Sequence, residues 1–85
     1  MKVKVKIGGS LRRTLGQGEM VVDLPSKSTL GDLFEKLKEE LGMEFFPQVP
    51  MIIMVGDRDY RFIGGFAALL DENTPVYLFP VVVGG

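Results

Sequence analysis

The carboxylates and hydroxyls of this chain are where chemistry would be sought first. Asp57 and Asp59 stand two residues apart in a turn, with Asp71 and Glu72 further on. Such a set can bind a divalent cation, but aspartates in turns are ordinarily there for local polarity. Glu35, Glu39 and Glu40 fall in a stretch of helical spacing and read as its solvated face, because nothing nearby would raise a carboxyl pKa. Ser10, Ser26 and Ser28 have no base to activate them: the chain contains no histidine, which excludes a serine–histidine triad and removes the commonest general base and metal ligand. It contains no cysteine either, so disulfides, thiolate metal sites and thiol nucleophiles are excluded. The pairs Gly8-Gly9 and Gly64-Gly65 match neither a phosphate loop nor a dinucleotide fingerprint. Ten basic and eleven acidic residues nearly cancel, which disfavours binding to nucleic acid through a basic field. Arg12, Arg13, Arg58 and Arg61 are too scattered for a nucleic-acid surface, though they can steer an acidic protein partner. The side chains therefore offer no metal site and no catalytic set.

What is left is the backbone of "LFPVVVGG". Glycine has no Cβ, so Gly84-Gly85 is the thinnest peptide a chain can present. It can enter a narrow channel and offer a carboxylate to another protein's active site. A carboxylate is a poor electrophile, but an acyl-adenylate carries a good leaving group that a sulfur or amine nucleophile can displace. None of this needs a catalytic side chain on the protein that carries the tail. Pro80 and the β-branched valines that follow disfavour a helix, so residues 80–85 are expected to form a flexible, extended arm.

The elements that must hold this arm can be read from periodicity. Eighty-five residues make one domain, residues 1–85, with room for one core. A hydrophobic content of 46% with 25% charged residues is that of a folded chain. The mean hydropathy of +0.21 leaves apolar surface for a partner-binding face. "KVKVKI" alternates strictly, with Val3, Val5 and Ile7 on one side and Lys2, Lys4 and Lys6 on the other. The lysine row has the spacing of a phosphate-binding stripe and equally that of an ordinary outer face. "EMVVDL" alternates again, and the two strands can pair antiparallel across the loop between them. "STLGDLFEKLKEELG" is the clearest helix. Thr29 is the expected N-cap with Asp32 three residues on, Leu30, Leu33, Phe34, Leu37 and Leu41 form its apolar stripe, Asp32 and Lys36 are an i,i+4 pair, and Gly42 is the expected stop. "MIIMV" reads as a buried central strand, "GDRD" as a turn, "YRFI" as a short returning strand, "GGFAALLDEN" as a turn or short helix, and "PVYLF" as the last strand. One helix stripe needs one sheet face to cover it. A mixed sheet with one main crossing helix, the α+β arrangement of the β-grasp fold, is the simplest solution. No apolar run approaches the ~20 residues that span a bilayer, and "MKVKVKIGG" is no secretory signal. A cytoplasmic protein without a membrane partner is the expectation.

Nearly the whole chain resembles the MoaD/ThiS group of ubiquitin-like sulfur carriers, and most of all the small subunit of molybdopterin synthase. "KVKVKIGGSLRRTLGQGEMVVDLP" resembles the opening strand, the leucine-arginine turn and the second strand ending in Leu-Pro. "STLGDLFEKLKEELG" resembles the threonine-started helix with its Gly-Asp-Leu. "DRDYRFIGGFAALLDENTPVYLFPVVVGG" resembles the ending through Phe-Pro to Gly-Gly. Two positions depart from the pattern: Val81 stands where many relatives have a second proline, and Gly56-Asp57 replaces an Asn-Gly turn. The three valines lean toward the thiamine-pathway carriers, whereas length and "RDYRFIGG" favour the molybdopterin branch. The resemblance implies that a ubiquitin-activating-type enzyme uses ATP to adenylate the Gly85 carboxylate. Sulfur transfer then gives a thiocarboxylate, which a large synthase subunit accepts by its Gly84-Gly85 tail and uses on a pterin precursor. The chain would be non-catalytic alone and bind no cofactor of its own. Phe79, Pro80, Phe62, Ile63 and Phe66 would dock the partners, with a plain core role equally open to them. Three alternatives remain: a thiamine-pathway carrier, a protein modifier joined to lysines through Gly85, and a binding module of the same shape in which the tail has no role.

Overall fold

The alternation of "KVKVKI" becomes strand β1, Lys2–Ile7, in a computed structural model that describes residues 1–9, 16, 18–41 and 51–81. Val3, Val5 and Ile7 are buried, while the lysines take the outer face. Strand β2, Glu19–Asp23, pairs antiparallel with it, Val22 opposite Val3 and Met20 opposite Val5. The ladder continues past both ends. The Met1 amino group donates to the Leu24 carbonyl at 2.6 Å, and the Ile7 amide donates to the Gly18 carbonyl at 2.9 Å. The lysine row has partners on the neighbouring strands: Lys2 pairs with Asp23 at 3.9 Å, Lys4 with Glu19 at 3.5 Å, and Lys6 lies over the Tyr77 ring.

Helix α1, Leu30–Leu41, begins where the sequence places it. The Thr29 amide donates to Asp32 Oδ2 at 2.8 Å, and the Asp32 amide donates to Thr29 Oγ1 at 3.2 Å, a reciprocal capping box that satisfies two otherwise unpaired donors. Leu30, Leu33, Phe34 and Leu37 are buried as one stripe. The side chain of Leu41 and the expected stop at Gly42 lie outside the described residues. The expected Asp32–Lys36 pair does not form. The Asp32 carboxylate is engaged by Thr29, and Lys36 pairs with Glu40 at 3.8 Å. Thr29→Ala should remove one arm of the box, costing about 1 kcal/mol and lowering the melting temperature by roughly 4–8 °C. Thermal denaturation followed by circular dichroism checks this.

The remaining strands are β3, Met51–Val55, β4, Arg58–Asp59, and β5, Val76–Pro80. The sheet order is β2-β1-β5-β3-β4, with β1 and β5 parallel and the other neighbours antiparallel. This is the mixed sheet with one crossing helix that defines the β-grasp arrangement. Its core is built in rows. Val5, Val76 and Val55 lie side by side across β1, β5 and β3, and Ile7, Leu78 and Ile53 make the next row. All six are buried under α1 and its neighbours. A second tie holds the helix entry: the Leu30 amide donates to the Ala68 carbonyl at 2.9 Å, and the Leu70 amide to the Ser28 carbonyl at 3.0 Å.

Three expectations are corrected. "MIIMV" is not a central strand buried on both faces. β5 holds the centre with β1 and β3 on either side of it, and Ile52 is 48% exposed, because one helix covers only one side of the sheet. "YRFI" is not the returning strand. The return is the two-residue β4, reached through a two-residue turn in which Gly56 takes φ +64°, the positive value a primed hairpin turn needs at its first position. Tyr60–Phe62 is instead a 3₁₀ turn, followed by a second at Gly65–Ala67. Pro80, expected to open the tail, is the last residue of β5, opposite Met51. Among the described residues no helix is long and apolar enough to cross a membrane.

Candidate functional site

Strand β5 carries large side chains on both faces, and its outer face leads toward the tail. Tyr77 and Phe79 point away from the helix, their rings 6.2 Å apart and nearly parallel at 11°. Lys6 Nζ lies 5.6 Å from the centre of the Tyr77 ring, within cation–π range. Across on β3, Ile52 stands opposite Phe79 and Met54 opposite Tyr77. Phe79 is 39% exposed, so the row is a ridge of apolar surface with one cation at its flank. Val81, also exposed, follows at once.

The residues nominated from the sequence divide between this ridge and another place. Phe79 belongs to the ridge and Pro80 to the strand end beside it. Phe62, Ile63 and Phe66 sit on the segment of 3₁₀ turns. Ile63 is half-buried against the core. Phe66, 49% exposed, packs edge-on to Phe34 at 5.3 Å and against Tyr60 at 5.3 Å. Phe62 is 81% exposed, with the Arg61 guanidinium 5.7 Å from its ring centre. Gly84 and Gly85 lie outside the described residues. The sequence reading missed Tyr77, Ile52 and Lys6. A period-two count backward from Phe79 picks out Tyr77, but only the strand pairing brings Ile52 and Lys6 beside it.

Of the acidic residues weighed for a cation, Asp59 and Asp71 are engaged within their own turns and Glu72 by the start of β1. Asp59 Oδ1 accepts from the Arg61 amide at 2.9 Å and from Arg61 Nε at 3.0 Å, and Asp59 Oδ2 accepts from Arg61 Nη2 at 2.7 Å. The Arg61 side-chain bonds, then its amide, then its charge hold the Asp59 carboxyl below the ordinary aspartate range, and the Arg61 pKa is raised in return. Asp71 Oδ1 accepts from the Asn73 amide at 2.8 Å, closing a turn, and Glu72 Oε1 accepts from the Lys2 amide at 3.0 Å. Glu35, Glu39 and Glu40 are exposed on α1. Among the described residues, the outer face of β5 thus presents an apolar ridge that runs to Phe79, just before Pro80 and Val81.

Solved structures share this architecture. Small archaeal modifier protein 1 from Haloferax volcanii superposes with a TM-score of 0.76 over 95% of this chain and 98% of its own, at 16% identity. A Pyrococcus furiosus protein assigned as molybdopterin converting factor, subunit 1, gives 0.77 over 96% and 99%, at 25% identity. CysO of Mycobacterium tuberculosis, described as an antigen, is 31% identical over 94% of this chain and 99% of its own, with a TM-score of 0.67. The chain belongs to the ubiquitin-like sulfur-carrier family. No protein-family model matches the sequence, and no curated protein matches it. Membership in the sulfur-carrier family rests on the 31% identity to CysO over nearly the whole of both chains.

Proposed function

We propose that this ubiquitin-like sulfur-carrier-family protein carries sulfur on its Gly85 carboxylate and donates it in molybdopterin synthesis. The observation that carries the reading is the ridge of exposed Phe79 and Ile52 beside half-buried Tyr77, on the strand that precedes the Gly-Gly tail in sequence, in a chain of this family. The tail supplies the reactive group and the ridge supplies the grip. A carboxylate oxygen of Gly85 attacks the α-phosphorus of ATP in an activating enzyme, pyrophosphate leaves, and an acyl-adenylate forms. A sulfur nucleophile then attacks the acyl carbon and AMP leaves. With a persulfide as that nucleophile, a donor thiol then attacks the S–S bond of the acyl disulfide, a donor disulfide leaves, and the thiocarboxylate keeps sulfur where oxygen had been. A large synthase subunit takes this thiocarboxylate tail, and the catalytic side chains belong to the partners. The likeness to a molybdopterin converting factor subunit supports the pathway.

Intact-protein mass after incubation with the cognate activating enzyme, ATP and a sulfur donor tests the reading. The expected result is the mass gain of one oxygen replaced by one sulfur. An unchanged mass with a demonstrably active enzyme would sink it. Gly-Gly remnants on lysines of cellular proteins would instead make the chain a modifier.

A further inference from the structure

The glycine pair at the end of β1 has no role in the reactions above, yet it lies directly beside the strand that leads to the tail. The Gly8 amide donates to the Leu78 carbonyl at 3.0 Å, carrying the parallel β1–β5 ladder one step beyond Ile7. This fixes Gly8 beside Phe79. A β-carbon built on Gly8 would fall inside the van der Waals shell of Phe79 Cδ1 and Cε1. The ring therefore occupies the volume that any other residue at position 8 would fill with its own side chain. Gly9 continues the seat. Its φ of +64° is left-handed, which favours glycine, and Pro80 Cδ lies 3.5 Å from where its β-carbon would stand. Gly8-Gly9 thus underlies Phe79-Pro80 as a unit.

We infer that Gly8 is a positioning residue for the carrier reaction: it seats the Phe79 ring across β1, alongside Tyr77. In doing so it sets both the ridge that the adenylating partner grips and the heading with which the chain leaves β5 at Val81. The inference rests on the carrier reading. Phe79 makes the partner contact, and Gly8 acts through it. Any side chain at position 8 lifts the ring from the sheet, breaks the near-parallel stack with Tyr77 and presents the partner with a different surface. The core is untouched, because ring and glycine lie on the face opposite α1.

Two measurements test this together. In the wild-type chain, proton NMR should show the Gly8 α-protons displaced by the ring current of Phe79, with the displacement lost in Phe79→Ala. In steady-state activation assays, Gly8→Ala should raise the KM for the carrier roughly tenfold, as loss of a central aromatic anchor does, with kcat little changed. The double variant Gly8→Ala/Phe79→Ala should be no worse than Phe79→Ala alone, since both changes remove one interaction. Undisplaced Gly8 protons overturn the seat, whether or not any variant folds. A normal KM in Gly8→Ala, or effects that add in the double variant, overturn its role in recognition. A wild-type chain that an active enzyme does not adenylate, but whose Gly8 protons are displaced, removes the carrier reading and the functional half of this inference while the seat stands.

Discussion

Deleting Gly85 is expected to reduce ATP-dependent activation of the chain to background while leaving its melting temperature unchanged. The two halves of this expectation have separate causes. The buried apolar residues run from Val3 to Leu78, and the last strand ends at Pro80. Residue 85 therefore lies beyond the last strand, five positions from it in sequence. Activation by the proposed route, by contrast, needs a carboxylate at a fixed distance from the ridge proposed to dock the partner. Shortening the arm by one residue withdraws the reacting atoms by ~3.3–3.6 Å, about the full separation of reacting groups in a near-attack geometry. The binding half survives, because Tyr77, Phe79 and Ile52 are untouched. The truncated chain should compete with the intact one for the activating enzyme without being consumed. Pyrophosphate release and a competition assay measure both. A truncated chain that is activated at the normal rate would remove Gly85 from the reaction.

Leu78→Ala should have the largest effect on stability, about 2–5 kcal/mol. Leu78 is 1% exposed at the centre of β5, between Ile7 on β1 and Ile53 on β3. Truncation opens a cavity in the middle of the inner row, where three strands and the helix meet and none can close the gap alone. A domain of this size has a total stability of order 5–15 kcal/mol. The loss should lower the melting temperature by roughly 10–30 °C, with little change in urea m-value. The neighbouring substitution, Phe79→Ala, should cost far less, since its ring lies on the exposed face. Urea denaturation of the two variants side by side is the check. Equal losses would mean that the faces of β5 have been assigned wrongly.

The helix was legible to the residue at its start because capping is local. Thr29 and Asp32 need only each other's backbone, and that geometry is set within four positions. The stripe of Leu30, Leu33, Phe34 and Leu37 was legible for the same reason. β1 and β2 were legible because their alternation separates a buried face from a wet one. β3 was misread because "MIIMV" is apolar at every position, and period two carries no signal when both faces are apolar. Its outward Ile52 belongs to the ridge rather than to a buried centre. "YRFI" was misread because its aromatic and β-branched residues have strand character. The Arg61 amide and guanidinium instead close on Asp59 and bend the chain into a 3₁₀ turn. Of the nominated docking residues, Phe79 was placed on the strand that leads to the tail. Phe62, Ile63 and Phe66 stand on the turn segment that follows β4, a separation that spacing in sequence does not reveal.

By itself the sequence determined the chemistry that is closed to this protein. A chain without histidine or cysteine can form no serine–histidine triad, no disulfide and no thiolate metal site or nucleophile. It also determined the local elements and the Gly-Gly tail. Tertiary structure decided what stands beside that tail. The parallel pairing of β1 with β5 joins residues some seventy positions apart, and no local period encodes that register. That pairing lays Gly8 under Phe79, Lys6 over Tyr77 and the buried rows against α1. The physical reason is that each side chain answers to its cross-strand neighbour as much as to its own alternation, and the neighbour is chosen by how the whole sheet covers its one helix.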